Sequence, residues 1–206
     1  RPVFDAELSH FLIAVTKDTG LQILHVDLEG RVTESSFIRG LDRIQQVQRL
    51  GEQDFLVSRW LQDHEHVVNG RPILDMHTDF LRLKSTGEAE LFLTVSDKLC
   101  HHAVASLDRV ACVEVPLLRT DQTNDAIVAY SAEGSVLWRR ILERSVYIEH
   151  MKLLDSGELL YAYQEGENVA VNRVDSSGNH VWKRTLRSAG QYTFLSAIEV
   201  LTDGRL

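Results

Sequence analysis

Histidine and acidic side chains are concentrated in one short segment, Asp63-His64-Glu65-His66, and His77 follows it closely. On a β-strand, His64 and His66 would project to the same face, because successive side chains alternate between the two faces. Imidazole and carboxylate groups are common zinc ligands, and His77 could supply a third. No spaced ligand motif supports such a site. A solvated polar loop is therefore the favoured interpretation, and we expect neither a metal nor a cofactor.

Other residues that could carry chemistry are interpreted as structural. Cys100 and Cys112 are too few for a disulfide framework and form no Cys-x-x-Cys pair, so we expect two small half-buried hydrophobic side chains. His101 and His102 are adjacent, and strand alternation would place them on opposite faces, which disfavours a joint metal site. Two segments, Asp155-Ser156-Gly157 and Asp175-Ser176-Ser177-Gly178, lack the ligand series of a calcium loop and are expected to be turns.

Motifs for common catalytic chemistry are absent from the sequence. It contains no Gly-x-Ser-x-Gly elbow, no phosphate-binding loop and no dinucleotide fingerprint.

Aromatic side chains are enriched at the centres of protein interfaces, and Trp60 borders the histidine-rich segment. The residues that we consider for contact with a partner are Trp60, His64, His66 and Arg71.

Composition excludes several classes of protein. The chain has 206 residues, of which 44% are hydrophobic and 25% charged, ordinary values for a globular protein with a core. Its formal charge is -8, which repels a phosphate backbone, so we expect no nucleic-acid partner. Apolar runs such as Phe11 to Val15 are far too short to cross a bilayer, so we expect no membrane-spanning segment. Localisation stays open.

A repeat with the period of a β-propeller blade runs through the chain. Four leucines, each followed by a polar turn and an apolar strand, lie 42, 57 and 47 residues apart, and a fifth follows after 47 more. They are Leu8, Leu50, Leu107, Leu154 and Leu201. The second half of each unit contains a hairpin in which glycine supplies the positive φ of the turn. The turn glycines are Gly30, Gly87, Gly134 and Gly178.

These patterns predict an all-β fold, a β-propeller with about four four-stranded blades and the start of a fifth. The expected units are 2–43, 44–100, 101–147, 148–194 and the partial 195–206, all within a single propeller domain, 1–206.

Both termini occupy the same phase of the repeat. We therefore expect a segment of a larger propeller, or a small propeller with a redundant strand, and an unpaired blade edge that could cause self-association. The longest unit contains extra residues at Gln62 to Met76, expected to form an elaborated loop.

Two of the hairpins carry tryptophan four residues after the turn glycine, at Trp138 and Trp182, followed by basic residues and leucine. They resemble the repeats of the quinoprotein-like, PQQ-type β-propeller superfamily, most strongly over residues 107–206. In that superfamily a tryptophan of each blade docks against the next blade, and members include quinone-dependent dehydrogenases and scaffold proteins. Glu34 and Leu91 stand where the first two blades would carry the tryptophan.

The function that we favour from these observations is a non-enzymatic protein-interaction scaffold whose partner is another protein. Its contact would be the segment from Gln62 to Met76, because loops on rigid scaffolds concentrate function. The alternative is a quinone-dependent dehydrogenase, or a propeller that binds carbohydrate or another small ligand in its central channel. That alternative predicts a pocket where several blades converge on acidic or histidine side chains.

Overall fold

The computed structural model describes residues 2–5, 10–17, 19–50, 54–68, 71–84, 87–117, 124–143 and 146–187. For 2–5, 10–12, 63–68 and 71–74 it describes the backbone alone. The chain divides into two compact units, Arg1–Thr94 and Val95–Leu206. Across the described ranges there is no helix that is long and apolar enough to cross a membrane.

Sixteen strands account for nearly all of the regular structure in the described residues. Their bounds are β1 Pro2–Asp5, β2 His10–Lys17, β3 Gly20–Asp27, β4 Val32–Arg39, β5 Ile44–Leu50, β6 Asp54–Val68, β7 Arg71–Leu83, β8 Ala89–Ser96, β9 Lys98–Ala105, β10 Arg109–Pro116, β11 Ala126–Ser131, β12 Val136–Ile141, β13 Ile148–Leu153, β14 Leu159–Glu165, β15 Asn168–Val174 and β16 His180–Leu186.

The strands form four four-stranded antiparallel sheets, each made of four consecutive strands in chain order. We call them blade 1 (β1–β4), blade 2 (β5–β8), blade 3 (β9–β12) and blade 4 (β13–β16). Sheets of this kind are the blades of β-propellers. The predicted fold class, all-β with four four-stranded propeller blades, is confirmed. The predicted fifth unit, 195–206 with Leu201, and the first leucine, Leu8, lie outside the described residues.

The apolar strand after each repeated leucine is the second strand of its blade: β2, β6, β10 and β14. Three of them, β6, β10 and β14, carry runs of buried side chains, and Val110 to Val113 are at most 4% exposed. The described side chains of β2, residues 13–17, are half-buried or exposed. The leucines themselves are not equivalent, because Leu50 is 2% exposed and Leu107 is 61% exposed. The structural repeat therefore lies in the strands and turns and does not depend on the leucine that precedes them.

The last hairpin of each blade turns where the sequence predicts it. Gly30, Gly87, Gly134 and Gly178 all have positive φ, between 81° and 86°. In the last of these turns, the Asp175 carboxylate accepts hydrogen bonds from the backbone N–H groups of Ser177 and Asn179. The aspartate side chain thereby replaces backbone partners inside the turn, which is why Asp-x-x-Gly sequences favour such reversals.

Each unit has its own core between two blades. In Arg1–Thr94, side chains such as Leu21 and Ile23 of blade 1 pack in one cluster with Val57 and Leu81 of blade 2. In Val95–Leu206, a second cluster joins blades 3 and 4, and its members from blade 3 include Ile127 and Trp138. Fully burying one such side chain stabilises the fold by roughly 1.5–3 kcal/mol.

The extra residues of blade 2 form strands, which corrects the expectation of a loop from Gln62 to Met76. β6 and β7 are 15 and 13 residues long, whereas the strands that flank them have seven and eight. They pair with each other from Phe55 and Leu83 out to Val68 and Arg71. We call the outer part of this pair, residues 61–68 and 71–77, the ribbon.

Candidate functional site

A cavity of about 250 Å³ lies in the second unit, between blades 3 and 4. Its walls come from β9 and β10 of blade 3, from the residue before β11, and from the start of β13. The aliphatic part is formed by valine and isoleucine, and the polar part by two histidines, one aspartate and one tyrosine. The lining residues are His101, His102, Val113, Val115, Asp125, Val146, Tyr147 and Ile148.

A β-bulge in β9 brings both histidines to this cavity. The ladder between β9 and β10 changes register opposite Cys112, where His102 and Ala103 of β9 face one residue of β10. His102 has a φ of 47°, a left-handed conformation that costs a non-glycine residue about 1–2 kcal/mol. Because the bulge interrupts strand alternation, His101 and His102 both line the cavity. The expectation that they lie on opposite faces is wrong for this reason.

Electrostatics favour a neutral imidazole at His102. Burial lowers its pKa below the usual value, and the neighbouring His101 and His150 lower the pKa further. The ring of Tyr147 meets the His102 ring edge-on, with the centroids 5.4 Å apart. Asp125 is 9% exposed, and its backbone carbonyl accepts a hydrogen bond from Leu142 N–H.

The lining suits a small ligand or a single side chain with a cationic or hydrogen-bonding end. A neutral imidazole can both donate and accept a hydrogen bond. A tyrosine ring and a carboxylate attract a positive charge, whereas valine and isoleucine walls suit an apolar stem. At 250 Å³ the cavity is slightly smaller than the pockets that hold drug-sized ligands.

A buried carboxylate holds the strands of blade 3 together. Glu114 in β10 is 1% exposed and accepts hydrogen bonds from the Tyr130 hydroxyl and the Arg139 guanidinium. Lys98 Nζ lies 2.9 Å from Oε2 of the same carboxylate. Burial raises the pKa of Tyr130, and its hydrogen bond to Glu114 raises it further. The network links all four strands of the blade, so we assign it a structural role.

A second polar network lies at the root of the ribbon in blade 2. The Arg59 guanidinium donates to Oδ2 of the buried Asp79 at 3.3 and 3.1 Å, and the Thr94 hydroxyl donates to Oδ1 at 2.7 Å. His77 Nε2 lies 3.5 Å from the same Oδ1. Trp60 follows Arg59, is half-buried, and donates its backbone N–H to the Arg43 carbonyl at 3.3 Å. His77 and Trp60, two residues singled out in the sequence, thus lie at one end of the ribbon.

The other residues singled out there lie farther along the ribbon. The backbone places His64 opposite Asp75, His66 opposite Ile73 and Arg71 opposite Val68. Their side chains are outside the described set, so their roles as metal ligands or partner contacts stay predictions. Among the side chains that are described, no group of three histidine, cysteine or acidic residues is placed to hold a metal ion.

The cavity residues were not predicted as a site. The adjacent pair His101-His102 is visible in the sequence, but it points to a site only if the bulge is known. Asp125 and Tyr147 carry no sequence signal of their own, because each lies in a connection between strands. Tyr147 joins the histidines only after blades 3 and 4 pack together, whereas Asp125 is placed by the β10–β11 connection within blade 3.

Comparison with known proteins returns solved structures at low sequence identity and no family. No protein-family model matches the chain, and no curated protein sequence matches it. TolB from Acinetobacter baumannii superposes with a TM-score of 0.43 and 12% identity over 93% of this chain. A structure from a study of two prolyl endopeptidases gives 0.45 and 10% identity over 92% of this chain. The chain spans 54% of the first protein and 35% of the second.

Proposed function

We propose that the chain is a protein-interaction module built on propeller blades, and that the ribbon of blade 2 is its main contact. The observation that carries this proposal is the length of β6 and β7, which continue past the sheet. β5 pairs with β6 only as far as Arg59, opposite Ile44. Beyond this point β6 has no pairing with β5, and a hairpin that lacks neighbouring strands is at best marginally stable in water. A partner that packs on the ribbon would supply the missing burial.

The root of the ribbon supports the same proposal. The Asp79 network joins β6, β7 and β8 through Arg59 and Thr94. Asp79 is 5% exposed, and a buried carboxylate with several hydrogen bonds resists rotation of the strands that carry it. The network therefore fixes the direction in which the ribbon leaves the blade. Its strand edges offer backbone N–H and C=O groups to which a partner can add a strand.

A shortened ribbon tests this function. The variant replaces residues 63–75 with Asn-Gly, a sequence that forms a tight hairpin turn between Gln62 and its pair Met76. Partners of the wild-type chain are identified by crosslinking and affinity capture, and are then purified for direct binding measurements. We expect the shortened variant to bind at least about 100-fold more weakly, roughly 2.7 kcal/mol, while its thermal midpoint is unchanged.

Leu91→Ser is the matched control, because Leu91 lies on the outer strand of the same blade and is 58% exposed. We expect this variant to bind like the wild type. Equal affinity of the shortened and wild-type chains for a captured partner would contradict the proposal, as would a wild-type chain that captures nothing above background.

The cavity between blades 3 and 4 favours a second function, small-ligand binding, with His101, His102, Asp125 and Tyr147 as the binding residues. A thermal-shift panel of amines, sugars and divalent cations tests it, with Tyr147→Ala as the control. A compound that raises the thermal midpoint of the wild type, and leaves that of Tyr147→Ala unchanged, supports this function. The quinone-dependent dehydrogenase belongs to the same alternative and predicts a visible absorbance band after reconstitution with the quinone.

The quinoprotein-like family stays part of the proposal. Its support is the packing of Trp138 in blade 3 on the turn of Gly178 in blade 4, where a β-carbon added to the glycine would lie 2.7 Å from the indole. The resemblance predicts that a tryptophan of one blade packs on the next, so this contact supports the proposal.

A further inference from the structure

The two cysteines of the sequence lie side by side on one face of blade 3. Cys112 Sγ is 2.7 Å from Cys100 Sγ, and both residues are at most 1% exposed. Sulfur atoms that only pack against each other lie farther apart than this, and a disulfide holds them at about 2.0 Å. No disulfide bond joins the two sulfur atoms in this structure. The sulfur atoms would have to approach by only about 0.7 Å to reach bonding distance.

Both cysteines lie beside the β-bulge that shapes the cavity. Cys100 immediately precedes His101, and Cys112 is the residue of β10 that faces the bulge at His102. A bond between the sulfurs would therefore tie the two strands together at the bulge that shapes the cavity. Because β9 ends the strand order of blade 3, the bond would also fasten an edge strand to the sheet.

We propose that Cys100 and Cys112 form a disulfide that locks the His101-His102 bulge. Each thiol loses one hydrogen, and a sulfur–sulfur bond joins β9 to β10. The two electrons and two protons pass to a small-molecule disulfide such as oxidised glutathione, which is cleaved to two thiols. This proposal goes beyond the expectation of two small half-buried hydrophobic side chains.

Burial determines when the bond can form. Thiolate is the species that attacks a disulfide, and burial raises the pKa of Cys112, with the neighbouring Cys100 thiol raising it further. In the folded chain both sulfurs are also shielded from solvent. Oxidation should therefore take place while the chain folds or when β9 opens, and the finished bond should be protected from reductants.

Peptide mapping gives the first test. Trypsin cleaves after Lys98, Arg109 and Arg119, which separates Cys100 and Cys112 into two peptides, 99–109 and 110–119. The full chain is refolded with oxidised and reduced glutathione, alkylated, digested without reductant and analysed by mass spectrometry. We expect the two peptides to be recovered as one linked species in monomeric protein. Recovery of both as separate alkylated peptides under oxidising conditions would overturn the proposal.

Two cysteines in one chain can also be joined by chance, so the second test asks whether the fold favours the bond. The equilibrium constant for oxidation by glutathione is measured in native buffer and in guanidinium chloride. We expect it to be at least tenfold larger in native buffer, and the thermal midpoint of the oxidised protein to rise by roughly 5–10 °C. The proposal would be contradicted by an oxidation constant in native buffer that is no larger than the constant in guanidinium chloride. It would also be contradicted by an oxidised protein whose thermal midpoint is no higher than that of the reduced protein.

Cys112→Ala is the matched control, because it keeps Cys100 and removes only the partner sulfur. The variant should give no linked peptide, and its thermal midpoint should not respond to the glutathione ratio. A variant that retains the redox-dependent midpoint of the wild type would also overturn the assignment.

Discussion

At the scale of the residue, Glu114 is the most deeply buried carboxylate in the described part of the chain. Glu114→Gln keeps the volume of the side chain and removes the charge that Arg139 and Lys98 neutralise. Removing one member of a buried ion pair costs about 3–5 kcal/mol, and the two cations here are partly exposed, so we expect a loss of roughly 2–4 kcal/mol. Urea denaturation measures it. Glu88→Gln, in an exposed pair with Lys84, should cost at most about 0.5 kcal/mol.

Also at this scale, His102 should make the stability depend on pH. Its pKa is lowered in the folded state, so the folded chain binds fewer protons than the unfolded chain near pH 6. The contribution of neutral His102 to the free energy of unfolding is fully present above the unfolded pKa of about 6.5. It is lost as the pH falls through the lower pKa of the folded chain. Besides its own strand neighbour His101, the groups near His102 are His150, Tyr147 and Asp125.

His102→Asn tests this dependence, because asparagine tolerates the left-handed backbone of the bulge. Thermal midpoints are compared at about pH 7.5 and about pH 5.5, on either side of the histidine pKa. The wild type should lose more stability at the lower pH than the variant does. His180→Asn, which changes an exposed histidine, should behave like the wild type, and identical pH profiles for His102→Asn and wild type would contradict the expectation.

At the scale of the element, the turn of blade 4 should tolerate no side chain at Gly178. A β-carbon there would meet the Trp138 indole at 2.7 Å and would also occupy a φ of 81°. Gly166 has a φ of 63°, and no atom lies within 4 Å of its added β-carbon. We therefore expect Gly166→Ala to cost about 1 kcal/mol and Gly178→Ala about 2–4 kcal/mol, since only the second adds overpacking to backbone strain. Equal losses in urea denaturation would show that the indole contact is unimportant.

At the scale of the whole molecule, the prediction of a single domain, 1–206, has a direct test. Each of the two compact units contains a hydrophobic core. Trp60 reports on the first unit, and Trp138 and Trp182 report on the second, so tryptophan-to-phenylalanine variants separate their fluorescence. A single domain predicts coincident denaturation curves for both sets of probes. Two separated transitions would show that the units unfold independently.

The sequence alone determined the features that arise from contacts between neighbours in the chain. Apolar runs of strand length and turn glycines recur with the blade period, so the four meanders and the positive φ at Gly30 and Gly178 could be predicted. The ribbon was located but mistaken for a loop, because Asn69-Gly70 marks a hairpin turn as readily as a loop.

Only the tertiary structure decided the residues of the cavity and the contact between the cysteines. Both depend on the register between β9 and β10, and a one-residue bulge reverses which face a side chain occupies. No local pattern marks that bulge. The meeting of His102 with Tyr147 depends in addition on the packing of blade 3 on blade 4. Periodicity reports which residues form a strand, whereas side-chain partners are set by how strands align and stack.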